Sequence, residues 1–308
     1  MAVMPIVVLL VLLPTGSVLA APTGIDQTPA ESGSFLSTGV VLLAAVVAAA
    51  LIARFRWYGL AASPRRSRLF APEVGLALIL AMLVLGPIGA RLAQASFGIT
   101  IPEEAGATEM PLPDQGVLFI GAALGQGLVL AVYLWLMRRA RRPSPDARFG
   151  RLRAALAGTA ALPAVWPLAA AVGWIAGAIS SRITGRVPEP VAHDLLRTMQ
   201  DSPVDLWLVA ISALVVLVTP LLEELLYRGL LQETLRTLGA GRWPAILMAS
   251  AVFALMHWQN TAPHAVVSLF VLSLGFGWAY ERTGRLTAPI VMHMLFNLGN
   301  LGLALLLG

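Results

Sequence analysis

Apolar residues occur along this chain in long runs that are separated by short polar loops. A helix of about 20 apolar residues crosses the hydrocarbon core of a bilayer, so these runs predict membrane spans. The predicted fold class is all-α, a polytopic transmembrane helix bundle, because helices satisfy their own backbone hydrogen bonds in lipid. A short interfacial helix is expected near residues 191–199. The eight predicted spans are residues 36–53, 74–93, 116–137, 156–179, 206–226, 244–257, 265–280 and 286–307.

Residues 1–21 form a further apolar run, and Val18 and Ala20 near its end fit the small-residue pattern of a signal-peptide cleavage site. No Lys or Arg precedes this run. A cleaved signal peptide and an uncleaved extra helix are therefore both open. In either case the polar segment 22–34 is expected on the outer side of the membrane.

Charged residues make up only 12% of the 308 residues, well below the roughly 25% of a soluble domain. The formal net charge is +5, and the arginines cluster after the first, third, fifth and seventh predicted spans. This alternation follows the positive-inside rule and predicts that those loops are cytoplasmic. We therefore expect membrane lipids, and no nucleic acid, among the partners. The absence of Cys excludes disulfides, thiolate metal sites and a cysteine nucleophile.

Two adjacent carboxylates and an arginine, Glu223, Glu224 and Arg228, interrupt the fifth span. Each such residue at membrane depth costs roughly 2.5–3.5 kcal/mol on insertion scales and so points to function. Glu224 and Arg228 are four residues apart and share a helix face, where they can pair. Glu223 points about 100° away, so it is the better candidate for a general base. Pro220 is expected to loosen the helix just before the pair and to free a carbonyl.

Two further polar motifs lie in the last three spans. His257 follows Phe253 by one turn, and its ring could hold a water or a metal together with Glu223. His293 and Asn297 are also one turn apart and could offer two donors to a developing oxyanion. Taken singly, these motifs also fit a structural reading, in which buried polar side chains hold helices together by ion pairs and hydrogen bonds.

Four other polar or small positions, in the seventh predicted span or directly before it, have structural explanations. His264 stands at the start of that span and is expected near the membrane interface. Ser273, Gly275 and Gly277 are expected to allow close helix packing, as small residues do in membrane bundles.

The three motifs together resemble the CPBP intramembrane proteases, a family that includes the CAAX prenyl endopeptidases and bacteriocin-processing or immunity proteins. The resemblance covers residues 204–303 and implies glutamate-dependent peptide hydrolysis within the membrane. It implies that Glu223 and His257 activate water and that His293 and Asn297 stabilise the tetrahedral intermediate. The implied supporting residues are Glu224, Arg228 and Phe253.

The family is often described as metalloproteases, which raises the question of a zinc ion. Glu223, His257 and His293 are the residues that would bind zinc, whereas Asn297 is a poor zinc ligand. We favour a site that activates water without a tightly bound metal, with zinc as the alternative.

The resulting hypothesis is an intramembrane endopeptidase in the cytoplasmic membrane of a bacterium. Its partners would be membrane lipids and a membrane-associated protein or peptide substrate, prenylated CAAX-type proteins among the candidates. We assign residues 36–180 to N-terminal spans of unknown role and 204–307 to the catalytic bundle. The alternatives are a non-catalytic membrane scaffold or bacteriocin-immunity protein with the same fold, and a transporter that uses the charges as an ion relay.

Overall fold

The computed structural model describes residues 30–54, 59–60, 70–101, 110–139, 150–185 and 194–307. The predicted signal peptide or extra helix at residues 1–21 lies outside these ranges. Within them the chain is helical, and the all-α prediction is confirmed. The helices are α1 (Ala30–Arg54), α2 (Pro72–Phe97), α3 (Leu112–Arg139), α4 (Arg151–Thr184), α5 (Asp194–Gln200), α6 (Leu206–Thr237), α7 (Arg242–Met256), α8 (Pro263–Thr283) and α9 (Thr287–Leu307).

Six of these described helices, α2, α3, α4, α6, α8 and α9, are long and apolar enough to cross a membrane. The polytopic bundle is thereby confirmed, with six rather than eight helices meeting the length criterion. The apolar part of α1, Gly39–Arg54, and the whole of α7 are shorter. The 15 residues of α7 give a helix of about 22 Å, less than a hydrocarbon core of about 30 Å. His257, directly after α7, is therefore expected at membrane depth.

The short helix expected near residues 191–199 is present as α5, which begins at Asp194. Residues 191–193 of that prediction lie outside the described ranges. The chain then enters α6 through Asp205, whose side chain accepts a hydrogen bond from the Leu208 amide at 2.9 Å. Such an N-cap satisfies one of the free amides at a helix start.

The helix α6 is irregular on both sides of its acidic pair. It takes π-helical geometry at Leu214–Val218 and again at Leu225–Gln232, with an α-helical turn, Thr219–Glu224, between them. Pro220 contributes because it has no N–H to donate. Single π turns inside α-helices frequently mark functional sites. The two carboxylates thus stand on a short regular turn that is flanked by two widened ones.

Close packing around α8 depends on missing side chains, as predicted. A Cβ atom at Gly275 would lie 2.6 Å from a methyl group of Val165, and one at Gly277 would lie 2.9 Å from Ile246. These contacts let α4 and α7 approach α8. His264, at the first turn of α8, is only 7% exposed. The His264 side chain is therefore buried between helices, one turn before the contact in which the Ser268 hydroxyl donates to the Ala169 carbonyl of α4 at 2.7 Å, and its position near the membrane interface stays a prediction.

Candidate active site

The adjacent glutamates of α6 lie in different environments. Glu224 is completely buried, whereas the Glu223 side chain is 23% exposed. The cause is their angular separation of about 100° on the helix, which turns one carboxylate into the bundle and leaves the other partly exposed. Two carboxylates on the same helical turn therefore lie in different environments and can have different chemical roles.

Glu224 forms a buried ion pair with Arg228, as the spacing predicts. Its Oε1 atom accepts from Arg228 Nη1 at 2.9 Å, and both side chains are 0% exposed. The other terminal nitrogen, Nη2, donates to the Ser273 hydroxyl at 2.6 Å and to the Ser273 carbonyl at 3.1 Å. The Arg228 Cζ atom also lies 5.1 Å from the ring centre of Phe253 and 5.2 Å from that of Phe276. Cation–π attraction and hydrogen bonds therefore hold this guanidinium in place.

His257 follows the last residue of α7 and faces Glu223. Its Nδ1 atom lies 2.8 Å from the Phe253 carbonyl oxygen, which can only accept, so Nδ1 carries the hydrogen. The Nε2 atom is then left toward Glu223 Oε1, at 3.7 Å. The Phe253 ring packs against the imidazole with 4.6 Å between ring centres. The backbone of α7 thus fixes both the tautomer and the orientation of His257.

His293 on α9 approaches the same carboxylate from the other side. Its Nδ1 atom lies 2.9 Å from Glu224 Oε1, and its Nε2 atom lies 3.9 Å from Glu223 Oε2. Because an ionised carboxylate only accepts, Nδ1 again carries the hydrogen. The ring stacks on Phe276 with 4.8 Å between centres. Glu224 therefore orients His293 and also pairs with Arg228.

Asn297 lies one turn further along α9 and contacts α6 at its first π turn. Its Nδ2 atom donates to the Val215 carbonyl at 2.9 Å. That carbonyl lacks a helical donor, since Thr219 N–H bonds to the Leu214 carbonyl and Pro220 has no N–H. The carbonyl predicted to be freed by Pro220 is thus found. An amide has two N–H donors, so a second one remains for a substrate.

The two predicted histidines therefore meet at the Glu223 carboxylate, while Asn297 is bonded to Val215 on the same helix. The two imidazole Nε2 atoms face its two oxygens at 3.7 Å and 3.9 Å, distances that are too long for direct hydrogen bonds. Two acceptor nitrogens facing a carboxylate need a proton or a bridging donor between them, and a water molecule can supply one. The site is suited to holding and polarising water.

A zinc ion with Glu223, His257 and His293 as ligands was the stated alternative. Across the described residues, no group of three His, Asp or Glu side chains has an arrangement that could hold a metal ion. The donor types of Glu223, His257 and His293 nevertheless suit zinc, so zinc stays the alternative to a site that activates water without a metal.

Two contributors to the site were missed by sequence reasoning. Ser273 was expected only to permit close packing, yet both its hydroxyl and its carbonyl accept from Arg228. Phe276, which stacks on His293, was not singled out. A serine four residues before a glycine in an apolar helix looks like a packing position, and an aromatic residue looks like core. The sequence contains no signal that would have separated these roles.

A polar stripe continues from the site toward the predicted cytoplasmic end of α6 and α8. One turn below Arg228, the Gln232 Nε2 atom donates to the Gly277 carbonyl at 3.4 Å and to Glu281 Oε1 at 3.2 Å. One turn further, Arg236 Nε lies 3.8 Å from Glu281 Oε1. Three successive turns of α6, at Arg228, Gln232 and Arg236, thus each have a polar partner on α8, which keeps the two helices in register.

The fold and the buried polar site define a polytopic integral membrane protein. Residues 205–299 match the family model described as type II CAAX prenyl endopeptidase Rce1-like. This match confirms, for that third of the chain, the resemblance to CPBP proteases that was drawn from the three motifs, and it supports a protease. All the residues described above lie inside the matched segment. Comparisons with curated proteins and with solved structures found no match.

Proposed function

We propose that the protein is an intramembrane endopeptidase that uses water activated by Glu223. The observation that carries the proposal is the position of Glu223 between the Nε2 atoms of His257 and His293, while Arg228 is committed to Glu224. A purely structural ion-pair network would give the arginine to both carboxylates or bury both. Here one carboxylate is left partly exposed and next to two bases.

In the proposed reaction, a water lies between Glu223 and His257. The water oxygen attacks the carbonyl carbon of the scissile peptide bond while Glu223 accepts one of the two water protons. The second O–H group of the water donates a hydrogen bond to His257 Nε2. The resulting tetrahedral intermediate collapses when the C–N bond breaks. The proton on Glu223 passes to the leaving nitrogen, which gives a free amine and a free carboxylic acid. This sequence returns Glu223 to its ionised form.

His293 and Asn297 would stabilise the negative oxygen of the intermediate. His293 can donate from Nε2 only when both of its nitrogens carry a hydrogen, because Nδ1–H is already bonded to Glu224. Glu224 Oε1 holds the Nδ1 side of this ring in place, and Arg228 Nη1 bonds to the same oxygen. Asn297 would donate with the amide hydrogen that does not bond to Val215. One such donor typically contributes about 2.7–4 kcal/mol to transition-state stabilisation.

The proposed substrates are membrane-associated proteins or peptides, with prenylated CAAX-type proteins as the class that the family match suggests. Lipids of the surrounding bilayer are the other expected partners. The proposed location is the cytoplasmic membrane of a bacterium, with the loops that carry Arg236, Arg242 and Arg282 on the cytoplasmic side. The alternation of basic loops supports this orientation.

The first test compares protein termini in host membranes that contain the wild type or Glu223→Gln at equal abundance. Termini that appear only with the wild type would name the substrate class. The matched control is Glu73→Gln, which changes an exposed carboxylate at the start of α2 and should match the wild type. Identical termini in all three, with folded protein, would refute the protease and leave the scaffold or immunity function.

A second test uses the purified protein and paired fluorogenic peptides that differ only in a prenyl group on the cysteine. Cleavage of the prenylated peptide alone would support CAAX-type substrates. Cleavage of both would retain the endopeptidase and refute the requirement for a prenyl group.

A further inference from the structure

The position of the Arg228 guanidinium relative to Glu224 depends on α8. Nη1 and Glu224 are 2.9 Å apart on α6 itself, whereas both polar contacts of Nη2 are made to Ser273 on α8. The rings of Phe253 and Phe276 lie against the guanidinium, but cation–π attraction sets no direction within the plane. Ser273 is thus the residue that determines where Nη2 points.

This direction affects the charge that Glu224 presents to His293. Glu224 Oε1 accepts from both Arg228 and His293, while Glu224 Oε2 is buried without a hydrogen-bond partner. Without the 2.6 Å contact to the Ser273 hydroxyl, Nη2 keeps only the longer bond to the Ser273 carbonyl, and it can then turn toward Oε2 and form a bidentate pair. The carboxylate would then be neutralised more fully by arginine, and less of its charge would act on His293.

We infer that Ser273 is a positioning residue of the active site. By holding Arg228 Nη2, Ser273 keeps the pair with Glu224 single and leaves Glu224 Oε1 to orient His293. The inference rests on the proposed function, because His293 is assigned there to the oxyanion. Nothing in Ser273 touches Glu223 or the proposed water, so its effect must pass through Arg228 and Glu224.

A matched control lies on the same helix. Ser268 is a half-buried serine of α8, and its hydroxyl donates to the Ala169 carbonyl of α4 at 2.7 Å. Ser268→Ala removes an interhelical hydrogen bond without touching the site. Ser273→Ala removes one that reaches Arg228. A merely structural role for Ser273 predicts similar behaviour of the two variants.

The activity arm measures kcat and KM with a cleaved peptide. Ser273→Ala should lower kcat about tenfold, the factor that a hydrogen bond to a charged group is worth, with KM within about twofold. Ser268→Ala should leave both within about twofold. In a Glu224→Gln background, Ser273→Ala should cause no further loss of kcat, because the side chain that contacts His293 is then already neutral. Equal losses in both backgrounds, or equal behaviour of the two serine variants, would overturn the inference.

The second arm needs no activity. The chain contains four histidines, so protein with ¹⁵N-labelled histidine gives a simple spectrum in which His293→Gln identifies one residue. At alkaline pH the wild type and Ser268→Ala should hold His293 with the hydrogen on Nδ1. Ser273→Ala should give a mixture with the Nε2–H tautomer, and an unchanged tautomer would overturn the inference.

The two arms separate the failure of this inference from that of the proposed function. A wild-type protein that cleaves nothing would refute the endopeptidase, and the tautomer of His293 would still decide the role of Ser273. If Ser273→Ala does not fold, Ser273→Cys takes its place, because a thiol of similar shape is a weaker acceptor. It should then give the same changes at smaller amplitude.

Discussion

Replacing Arg228 by Met tests whether the buried carboxylate of α6 needs its partner. The methionine retains much of the apolar stem but leaves Glu224 without its cation in a site where both side chains are 0% exposed. Breaking a buried pair by removing one partner is strongly destabilising, by about 3–5 kcal/mol. His293 Nδ1 still lies 2.9 Å from Glu224 Oε1 and offsets part of the cost. We therefore expect a loss near the lower end, about 3 kcal/mol.

The assay is reversible unfolding of the purified protein by increasing amounts of denaturing detergent, followed by tryptophan fluorescence. The double variant Glu224→Met with Arg228→Met is the decisive comparison. It removes both charges and should be more stable than Arg228→Met alone, because no buried charge is left unpaired. Arg91→Met is the control, since Arg91 is exposed and bonds to Gln94 of its own helix at 3.1 Å. Arg228→Met within about 1 kcal/mol of wild type would refute the reasoning.

Two further outcomes test the site. Asn297→Leu should destabilise the protein by about 1–3 kcal/mol because it leaves the Val215 carbonyl unsatisfied, and it should also lower kcat. Asn297→Gln, which keeps the amide, is its control in the same unfolding assay, and equal stability of both variants with the wild type would contradict this role. Cleavage by purified protein should persist after exhaustive dialysis against a chelator, since the reaction proposed here uses side chains alone, and loss of activity that added zinc restores would favour the zinc alternative.

The motifs could be predicted from the sequence because charge is expensive in an apolar span. Nothing but function or a strong partner accounts for Glu223, Glu224 and Arg228 in one turn and a half of α6. The pairing of Glu224 with Arg228 follows from their spacing and is found at 2.9 Å. The same spacing logic places His293 and Asn297 on one face of α9, and both contact α6.

Tertiary packing decided the features that were missed. The predicted span 244–257 lies close to the bounds of α7, Arg242–Met256, but it was counted as a crossing although a helix of 15 residues is shorter than the hydrocarbon core. His264 begins a span, and its low exposure of 7% comes from neighbouring helices that the sequence around it does not reveal. Ser273 could not be recognised from α8 alone, since its partner Arg228 lies on α6.

The irregular geometry of α6 explains how α9 is held beside the Glu223 carboxylate. The first π turn and Pro220 leave the Val215 carbonyl open, and Asn297 binds it. One turn earlier on α9, His293 binds Glu224, the last residue of the regular turn Thr219–Glu224. Helix α9 is therefore hydrogen-bonded to α6 at Val215, which precedes Glu223 in the chain, and at Glu224, which follows it. An opening of the site that moves α9 away from Glu223 has to break a hydrogen bond to a buried carboxylate and leave a carbonyl unsatisfied. This double attachment favours a preorganised site, in which the oxyanion donors are held in place before the substrate arrives.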